Sequence, residues 1–540
     1  MNTVQVVAKI LRSEGVEWVS CFPSNPLIEE VAKENIRPIM FRHERGAVMA
    51  ADGFSRVNHR NKFGVVITQS GPGAENSMGG IAQAFSDNVP ILYLPAGPQL
   101  SEYAIRPNFS AVRTFQTVST FGEVITHPSQ VSSVLRRAFH HLRNGRPGPV
   151  IVEIPADVGD QVLLEETIDY KSPKRARQIP DPDDVNVAVE LLLKAEKPVI
   201  WAGMGVLLSG ASQALQVLAE LMGIPVYCTM PGKSAFDERH PLSLGAGSGA
   251  TTLPARRWIQ DSDVLFAVGS SLTKTPYGQP IPDGKIIIHN TESPEDINKD
   301  YPVEIGLPGD ALLTLQAMIE FAKSKSLILS DIAREISVIK EAWMEDWTPL
   351  LNSDEIPLNT YRVIGDIVKT LDLENSIVTH DAGGPRDSIL PFYPATVPNS
   401  YIGWGKTTHL GFGIPLMIGA KLANPDKFCL NFMGDGAFGM SGLDIETAVR
   451  EKAPITTIVL NNGGMATYPG GMLTARDRYG MTKMTGDYAK VAEGLGAVGI
   501  VVRQPGEMVP ALRRAQQLNT EGKTVLIDVH SNMESRRSRP

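Results

Sequence analysis

Short apolar runs alternate with segments of helix length along almost the whole chain. The runs are rich in valine and isoleucine, and they are apolar at consecutive positions rather than at every second one. They lie at 64–68, 90–95, 149–155, 197–203, 224–228, 264–270, 285–290, 376–384, 427–436, 455–462 and 524–530. Continuous apolar strands separated by helices are typical of parallel sheets covered on both faces. The pattern therefore predicts an α/β fold of doubly wound parallel sheets.

Two polar stretches that contain proline interrupt this alternation. The first covers 170–184, and the second separates a long helical region around 309–345 from a new start near Leu358. The predicted domains are 1–168, 185–345 and 357–530, followed by a polar tail at 531–540. Three domains fit the 540-residue length at about 150 residues per domain. We expect the tail to be poorly ordered by itself.

Composition and charge exclude several classes of protein. Hydrophobic residues make up 42% and charged residues 20%, which is ordinary for a globular protein and excludes overall disorder. The net charge of −8 argues against a surface that binds nucleic acid. Three widely separated cysteines form neither a disulfide framework nor a zinc site, so a reducing, cytoplasmic compartment is predicted. No run reaches the roughly 18 apolar residues that a membrane span needs, and the N-terminus indicates a mature helix rather than a signal peptide.

Two predicted strands in the third domain end in glycine-rich turns that carry metal-binding side chains. The turns are Gly434-Asp435-Gly436 and Asn461-Asn462-Gly463-Gly464. Ligands in open parallel sheets bind at the carboxyl ends of strands, so both turns point into the same crevice. Asp435, Asn462 and a carbonyl at Gly464, with two phosphate oxygens, would contribute to an octahedral Mg²⁺ site. Each turn alone is more often structural, but the pair indicates a site for a metal and a diphosphate.

This pair of turns resembles the metal–diphosphate motif of the thiamine-diphosphate enzymes. The resemblance runs from about residue 3 to residue 530 and implies a pyrimidine-binding, a central and a diphosphate-binding domain in that order. It implies thiamine diphosphate and Mg²⁺ as cofactors. The further cofactor-binding residues that it implies are Gly434, Gly436, Ala437 and Met465, together with Asp381 and Gly383 at another strand end.

The family needs a glutamate facing the pyrimidine ring of the cofactor, and Glu44 is the candidate. It begins a helix directly after the strand-like segment 36–41. Taken alone, Glu44 is more readily explained as an ordinary acidic residue at a helix N-terminus. The resemblance implies that it protonates the pyrimidine nitrogen, so that the cofactor can be activated. This chemistry needs a carboxyl group in an apolar crevice, where burial makes it an effective proton partner.

Other positions follow the family pattern less directly. Gly73 belongs to a Ser-Gly-Pro-Gly turn that closes a strand and opens a helix, as in the pyrimidine-binding domain. Asn25, after the first strand, either reaches the ligands or forms a turn. Leu410 stands at the hydrophobic position that supports the bent cofactor, and Thr408 would offer its carbonyl to the pyrimidine amine. Family members often carry methionine and glycine at those two places. His380, His409 and Tyr468 are further pocket candidates.

Two segments favour different substrates. Phe115 and Gln116 lie where acetolactate synthase-like members carry a pair lining the active site, and Gln116 either bonds a substrate carbonyl or caps a loop. With the central segment 229–245, this pair favours decarboxylation of a 2-oxo acid such as pyruvate followed by carboligation. The segment 440–464 is closer to oxalyl-CoA decarboxylase and 2-hydroxyacyl-CoA lyase.

Two alternatives to the 2-oxo acid reaction remain open: a CoA-dependent reaction and a subunit without catalytic activity. In the CoA-dependent branch, the tail arginines would hold CoA phosphates, although a solvated basic tail explains them more readily. These arginines are Arg536, Arg537 and Arg539. A catalytically silent partner subunit is the second alternative. The intact set of Glu44, Asp435 and Asn462 favours an enzyme.

The last expectations concern nucleotide binding in the central domain and the oligomeric state. Asn290 and Glu292 stand where acidic residues often meet an adenosine ribose, but the preceding loop lacks the Arg-Phe-Asp run of flavin-binding acetolactate synthases. This argues against FAD and leaves an empty or ADP-binding central domain open. The family shares its active site between subunits, which implies a homodimer or a homotetramer.

Overall fold

The computed structural model describes residues 1–163, 169–325, 331–465 and 471–539. These residues contain three six-stranded sheets, and all strand pairs within the sheets are parallel. Each of the three predicted domains contains one of the sheets, which confirms the α/β prediction. The predicted end of the first domain, at residue 168, lies outside the described residues.

The first sheet has the strand order β2-β1-β3-β4-β6-β5. Its strands are β1 (Trp18–Cys21), β2 (Arg37–Met40), β3 (Gly64–Thr68), β4 (Ile91–Gly97), β5 (Phe121–Val124) and β6 (Pro149–Pro155). The helices in this part are α1 (Thr3–Ser13), α2 (Leu27–Lys33), α3 (Glu44–Arg56), α4 (Pro72–Ser86), α5 (Ala111–Thr114), α6 (Val131–Arg143) and α7 (Ala156–Gly159).

The second sheet has the strand order β12-β11-β10-β7-β8-β9. Its strands are β7 (Val199–Ala202), β8 (Val226–Thr229), β9 (Ser243–Gly247), β10 (Val264–Val268), β11 (Ile286–Thr291) and β12 (Ile305–Pro308). The helices are α8 (Pro182–Lys194), α9 (Met204–Ser209), α10 (Ser212–Met222), α11 (Leu253–Asp261), α12 (Ala311–Lys323) and α13 (Ile332–Leu351).

The third sheet has the strand order β14-β13-β15-β16-β18-β17. Its strands are β13 (Ser376–His380), β14 (Tyr401–Ile402), β15 (Phe428–Gly434), β16 (Thr456–Asn461), β17 (Val498–Val502) and β18 (Val525–His530). The helices are α14 (Thr360–Thr370), α15 (Gly384–Ile389), α16 (Gly413–Ala423), α17 (Asp435–Ser441), α18 (Asp444–Arg450), α19 (Leu473–Tyr479), α20 (Tyr488–Gly494) and α21 (Met508–Thr520).

The chain packs as two compact units. The first comprises 1–176, 407–425 and 446–453, and the second comprises 177–406, 426–445 and 454–540. The first sheet therefore lies in the first unit, and the other two sheets lie in the second. No helix among the described residues is long and apolar enough to cross a membrane.

Local sequence explains where these elements form. The central strands β3, β6 and β10 are buried at every residue, because helices cover both faces of each sheet. Side-chain caps mark several helix starts. The Asn2 side chain accepts a hydrogen bond from the Gln5 amide at 3.0 Å, and the Asp310 carboxylate accepts two from the first turn of α12.

Two glycines allow α3 and α16 to approach closely within the first unit. A Cβ added to Gly53 would lie 2.1 Å from the Leu416 carbonyl oxygen, and one added to Gly419 would lie 1.9 Å from the Ala50 carbonyl oxygen. Neither position could accept a side chain without separating the helices. This contact fixes the helix that begins with Glu44.

The polar tail is hydrogen-bonded to the rest of the second unit. The Ser538 hydroxyl donates to the Thr251 carbonyl at 2.6 Å, and the Thr251 amide donates to the Ser538 carbonyl at 2.8 Å. The Arg536 guanidinium lies 4.3 Å from the centre of the Trp347 ring. These contacts hold residues 531–539 against the rest of the second unit, so the tail is not isolated from the fold.

Candidate functional site

Three turns meet at the carboxyl edge of the third sheet. β13, β15 and β16 are neighbours, and the turns after them begin at Asp381, Asp435 and Asn462. A Cβ added to Gly434 would lie 3.7 Å from Cγ of Pro385, so the first turn lies against the second. The structure thus brings together the segments that the sequence predicted to share one crevice.

The Asp435 carboxylate fastens the second turn to the third. Its Oδ1 accepts a hydrogen bond from the Gly436 amide at 2.8 Å, and its Oδ2 accepts one from the Gly463 amide at 3.0 Å. In the third turn, the Asn462 side-chain oxygen accepts from the Gly464 amide at 3.0 Å. Asp435 is 2% exposed. Burial raises the pKa of its carboxyl group, while the hydrogen bonds from backbone N–H groups lower it.

The donor set of these turns fits Mg²⁺. The described residues contain no cluster of three or more His, Cys, Asp or Glu side chains that could hold a metal ion. A cation would therefore need an amide oxygen, a backbone carbonyl and ligand oxygens beside one carboxylate, as the sequence predicted for Asp435, Asn462 and Gly464. No lysine or arginine among the described residues forms an ion pair with Asp435, and a divalent cation would supply the missing countercharge.

Glycines shape the backbone of the turns at this edge of the sheet. Gly383 has a φ of +83°, in the region that side chains disfavour. A Cβ added to Gly436 would lie 3.0 Å from both Cγ and Sδ of Met465. Ala437 is buried beside it at the start of α17. These small residues leave the backbone accessible to a phosphate at the turns.

Glu44 is the first residue of α3 and is buried in the first unit. It is 4% exposed, and the Asn76 side chain on α4 donates to its Oε2 at 3.0 Å. His43 caps the helix, and its Nδ1 lies 3.9 Å from the same carboxylate oxygen. Burial lowers the pKa of His43, which favours its neutral form beside Glu44. Sequence reasoning did not find Asn76, because no local pattern marks it.

Thr408 and Leu410 lie in a segment that is fastened to α4 and to the start of α3. The His409 amide donates to the Gln83 side-chain oxygen at 3.2 Å, and the His409 ring lies 3.4 Å from the Arg45 guanidinium. Burial and the Arg45 charge lower the pKa of His409. Thr408 adopts a left-handed conformation with a φ of +52°. The segment therefore approaches the end of α3 that carries the buried carboxyl group.

The Asn25 side chain is hydrogen-bonded within the first unit, and its role in cofactor binding stays a prediction. Its amide donates to the Thr68 carbonyl at 2.8 Å and to the Leu94 carbonyl at 3.4 Å. Its side-chain oxygen accepts from the Leu27 amide at 3.0 Å. The side chain thus ties the turn after β1 to the ends of β3 and β4, which supports the turn alternative. At Gly73, an added Cβ would lie 2.9 Å from Cγ of Gln69, so close packing requires a glycine there.

Phe115 and Gln116 face different environments. The Phe115 ring is fully buried, with its centre 6.0 Å from the centres of the Tyr93 and Phe109 rings. Phe115 therefore anchors its loop, and its place in the active site stays a prediction. Gln116 is exposed and remains available to a ligand.

The other two predicted pocket residues are His380 and Tyr468. His380 is buried, and its ring nitrogens lie 2.8 Å from the Tyr401 hydroxyl and 3.1 Å from the Trp404 carbonyl. These contacts explain His380 as a residue that stabilises the end of β13. Tyr468 lies outside the described residues.

In the central domain, Asn290 is committed to the protein itself. Its amide donates to the carbonyls of Leu307 and Gly309 and to the Thr314 hydroxyl, at 2.9, 3.1 and 2.9 Å. Its oxygen lies 3.2 Å from the Gly269 amide that donates to it. This side chain cannot also hold a ribose, so it does not fit the position that the sequence suggested for a dinucleotide.

We expect the purified protein to carry no flavin, because the Asn290 side chain is already used within the domain. An absorbance spectrum of the purified chain should show no flavin band. Titration with FAD should leave the intrinsic fluorescence of the chain unchanged. A saturable fluorescence change on adding FAD would contradict this expectation.

Comparison with protein families gives matches over most of the chain. Residues 1–120 match the N-terminal thiamine pyrophosphate binding domain of the thiamine pyrophosphate enzymes, residues 185–318 the central domain and residues 381–529 the C-terminal thiamine pyrophosphate binding domain. The order is the one that the sequence motifs predicted. The three sheets and the turns at Asp435 and Asn462 thus define a thiamine pyrophosphate enzyme.

Similarity to individual curated proteins identifies a family within the thiamine pyrophosphate enzymes. The probable acetolactate synthase large subunits of Methanococcus aeolicus and Methanocaldococcus jannaschii are each 30% identical over 546 residues, which cover 95% of this chain and 90% of the relative. The acetolactate synthase large subunit of Corynebacterium glutamicum is 31% identical over 517 residues, covering 91% of this chain and 80% of that protein. The chain belongs to the acetolactate synthase large-subunit family of thiamine pyrophosphate enzymes.

Proposed function

We propose that this enzyme uses thiamine diphosphate and Mg²⁺ to decarboxylate a 2-oxo acid of the pyruvate type and to join the remaining unit to a second carbonyl compound. The observation that carries the proposal is the intact pair of turns at Asp435 and Asn462, in a chain similar to acetolactate synthase large subunits over 95% of its length. When bound, thiamine diphosphate supplies the electron sink that cleavage of a carbon–carbon bond beside a carbonyl requires.

The residues of the third sheet would hold the charged end of the cofactor. Asp435, Asn462 and the carbonyl of Gly464 would hold Mg²⁺, since they provide the hard oxygen ligands that it prefers. The backbone of the turns from Asp381 to Gly383 and from Gly434 to Ala437 would contact the diphosphate. Because these turns are fastened to each other, the ligands are oriented before the cation binds.

Residues of the first unit would handle the proton and the substrate. Glu44 would hold a proton at its carboxyl group, which burial keeps away from bulk water and which Asn76 orients. Thr408 and Leu410 would shape the wall beside this carboxyl group. The exposed amide of Gln116 would donate a hydrogen bond to the substrate carbonyl.

The tail contacts favour 2-oxo acid chemistry over CoA chemistry. Arg536 lies over the Trp347 ring, Arg537 donates to the Glu534 carbonyl at 2.8 Å, and Arg539 forms an ion pair with Asp387. The arginines that would hold CoA phosphates are thus engaged within the chain. We do not retain the CoA alternative as a second function.

Location and assembly belong to the same proposal. All three cysteines are buried and none of them forms a disulfide, which fits a reducing compartment such as the cytoplasm. The implied sharing of active sites between subunits supports a homodimer or a homotetramer.

The test supplies the chain, loaded with thiamine diphosphate and Mg²⁺, with pyruvate labelled with carbon-13 at its carbonyl carbon. We expect CO₂ release and a product in which two labelled carbons are directly bonded, seen by NMR as carbon–carbon coupling. A loaded chain that consumes no pyruvate but cleaves a 2-hydroxyacyl-CoA would support the CoA-dependent alternative. A chain that binds the cofactor and turns over neither substrate would support a silent subunit.

A further inference from the structure

A buried carboxylate in the first unit accepts several hydrogen bonds from one loop. Glu153, near the end of β6, is 1% exposed. Its Oε2 accepts from the Tyr103 hydroxyl at 2.5 Å, from the Ser110 hydroxyl at 3.2 Å and from the Val112 amide at 3.1 Å. All three donors belong to the β4–β5 connection, which we define as residues 98–120.

The first half of the β4–β5 connection lies at the surface of the protein. Most of its residues from Ser101 to Asn108 are exposed. Ser110 caps the short helix α5, and its hydroxyl also accepts from the Arg113 amide at 3.3 Å. Glu153 therefore holds the start of α5 at both Ser110 and Val112.

The start of α5 determines where Gln116 lies. α5 ends at Thr114, and the buried Phe115 follows it directly. Gln116 comes next and is exposed. A four-residue helix fixed at its first turn by Glu153 and at its end by Phe115 leaves the backbone of Gln116 little freedom.

A carboxylate suits this position better than a neutral group. One ionised oxygen can accept several hydrogen bonds, and bonds to a charged acceptor are stronger than those to a neutral one. Burial raises the pKa of Glu153, while the donors from Tyr103, Val112, Ala111 and Ser110 lower it and so favour the ionised form. The wall behind the carboxyl group is tight, because a Cβ added to Gly97 would lie 3.1 Å from Oε1.

We propose that Glu153 is a positioning residue that fixes the start of α5 and thereby the place of the Gln116 amide at the substrate. The proposal rests on the proposed function, since that function assigns Gln116 to the substrate carbonyl. Glu153 itself does not touch substrate or cofactor in this arrangement. Its effect is transmitted along the backbone of α5.

The experiment compares Glu153→Ala, Glu153→Gln and the control Glu123→Ala. Glu123 lies on the adjacent strand β5, where its carboxylate forms a surface ion pair with Arg137. Glu153→Ala should raise the KM for the 2-oxo acid about tenfold, the effect of losing one or two hydrogen bonds. Glu153→Gln should recover part of this loss, because its amide oxygen still accepts. The affinity for thiamine diphosphate should stay unchanged in all three variants.

Two further readouts separate positioning from general loss of stability. If Glu153 acts through Gln116, then Glu153→Ala combined with Gln116→Ala should raise KM no further than Gln116→Ala alone. Hydrogen–deuterium exchange over residues 100–118 should be faster in Glu153→Ala and unchanged in Glu123→Ala. The exchange measurement does not depend on turnover.

Failure of the positioning role and failure of the proposed function give different results. Unchanged exchange in Glu153→Ala, or KM effects that add in the double variant, would overturn the positioning role. Normal pyruvate turnover by the wild type with unchanged KM in Glu153→Ala would overturn it as well and leave the proposed function intact. A wild type that does not consume pyruvate would overturn the assignment of Gln116, and with it the proposal.

Discussion

Glu44→Gln should lower turnover by roughly 10²–10⁴-fold, the usual contribution of a positioned acid or base. Glutamine has the shape of glutamate and can keep the contact with Asn76, but it cannot hold and release the proton. The affinity for thiamine diphosphate and Mg²⁺ should change little, because the ligands at Asp435 and Asn462 are untouched. Steady-state kinetics and calorimetric titration would measure the two effects separately.

The control for this prediction is Glu75→Gln. Glu75 also lies in the first turn of a helix, α4, but it is exposed. Its replacement should leave turnover unchanged. Exchange of the cofactor's C2 proton for deuterium, followed by NMR, should be slow in Glu44→Gln and normal in Glu75→Gln. Wild-type turnover by Glu44→Gln would show that Glu44 is an ordinary helix N-terminal acid.

Asp435→Asn should remove most of the Mg²⁺ affinity. The variant loses the negative charge and one of the two oxygens that accept from the Gly436 and Gly463 amides. The loss should exceed the roughly 10–100-fold that removing an outer-shell partner of a metal costs. Thiamine diphosphate affinity and turnover should fall together, because the cation would bridge the protein and the diphosphate. Calorimetric titration of the cofactor at several Mg²⁺ concentrations would measure this coupling.

Asp426→Asn is the matched control for the metal site. Asp426 is exposed and lies just before β15, at the opposite end of the strand that leads to Asp435. Its replacement should change neither Mg²⁺ affinity nor turnover. If Asp435→Asn binds the cofactor with wild-type dependence on Mg²⁺, the cation does not bind at these turns.

The strands that the apolar runs predict are those that are covered on both faces of the sheet. β3, β6 and β10 lie inside their sheets, and both faces of each are buried, so their sequences are apolar throughout. Seven strands fall outside these runs. Six of them are the edge strands of the three sheets, β2, β5, β9, β12, β14 and β17, and the seventh is the four-residue strand β1, which lies inside the first sheet. An edge strand is covered less completely, so its sequence carries no continuous apolar signal.

Some residues of the candidate site were also predictable from the sequence, and others were not. The turns at Asp435 and Asn462 were predictable, because each consists of consecutive residues at the end of a recognisable strand. The internal hydrogen bonds of Asn25 were not predictable, because its partners Thr68 and Leu94 are far along the chain. Asn76 and Glu153 were missed for the same reason, since each acts on a residue that no local pattern connects to it.

The sequence by itself determined the α/β class, the order of the three sheets along the chain and the glycine-rich turns of the cofactor site. These features depend on residues that are adjacent in the chain, or on a periodicity that burial imposes on each strand. The tertiary structure decided which polar side chains are used internally, as for Asn25 and Asn290, and which carboxylates are buried with a donor, as for Glu44 and Glu153. Such choices depend on distances between remote segments, because a buried polar group must find its hydrogen-bond partners wherever packing places them.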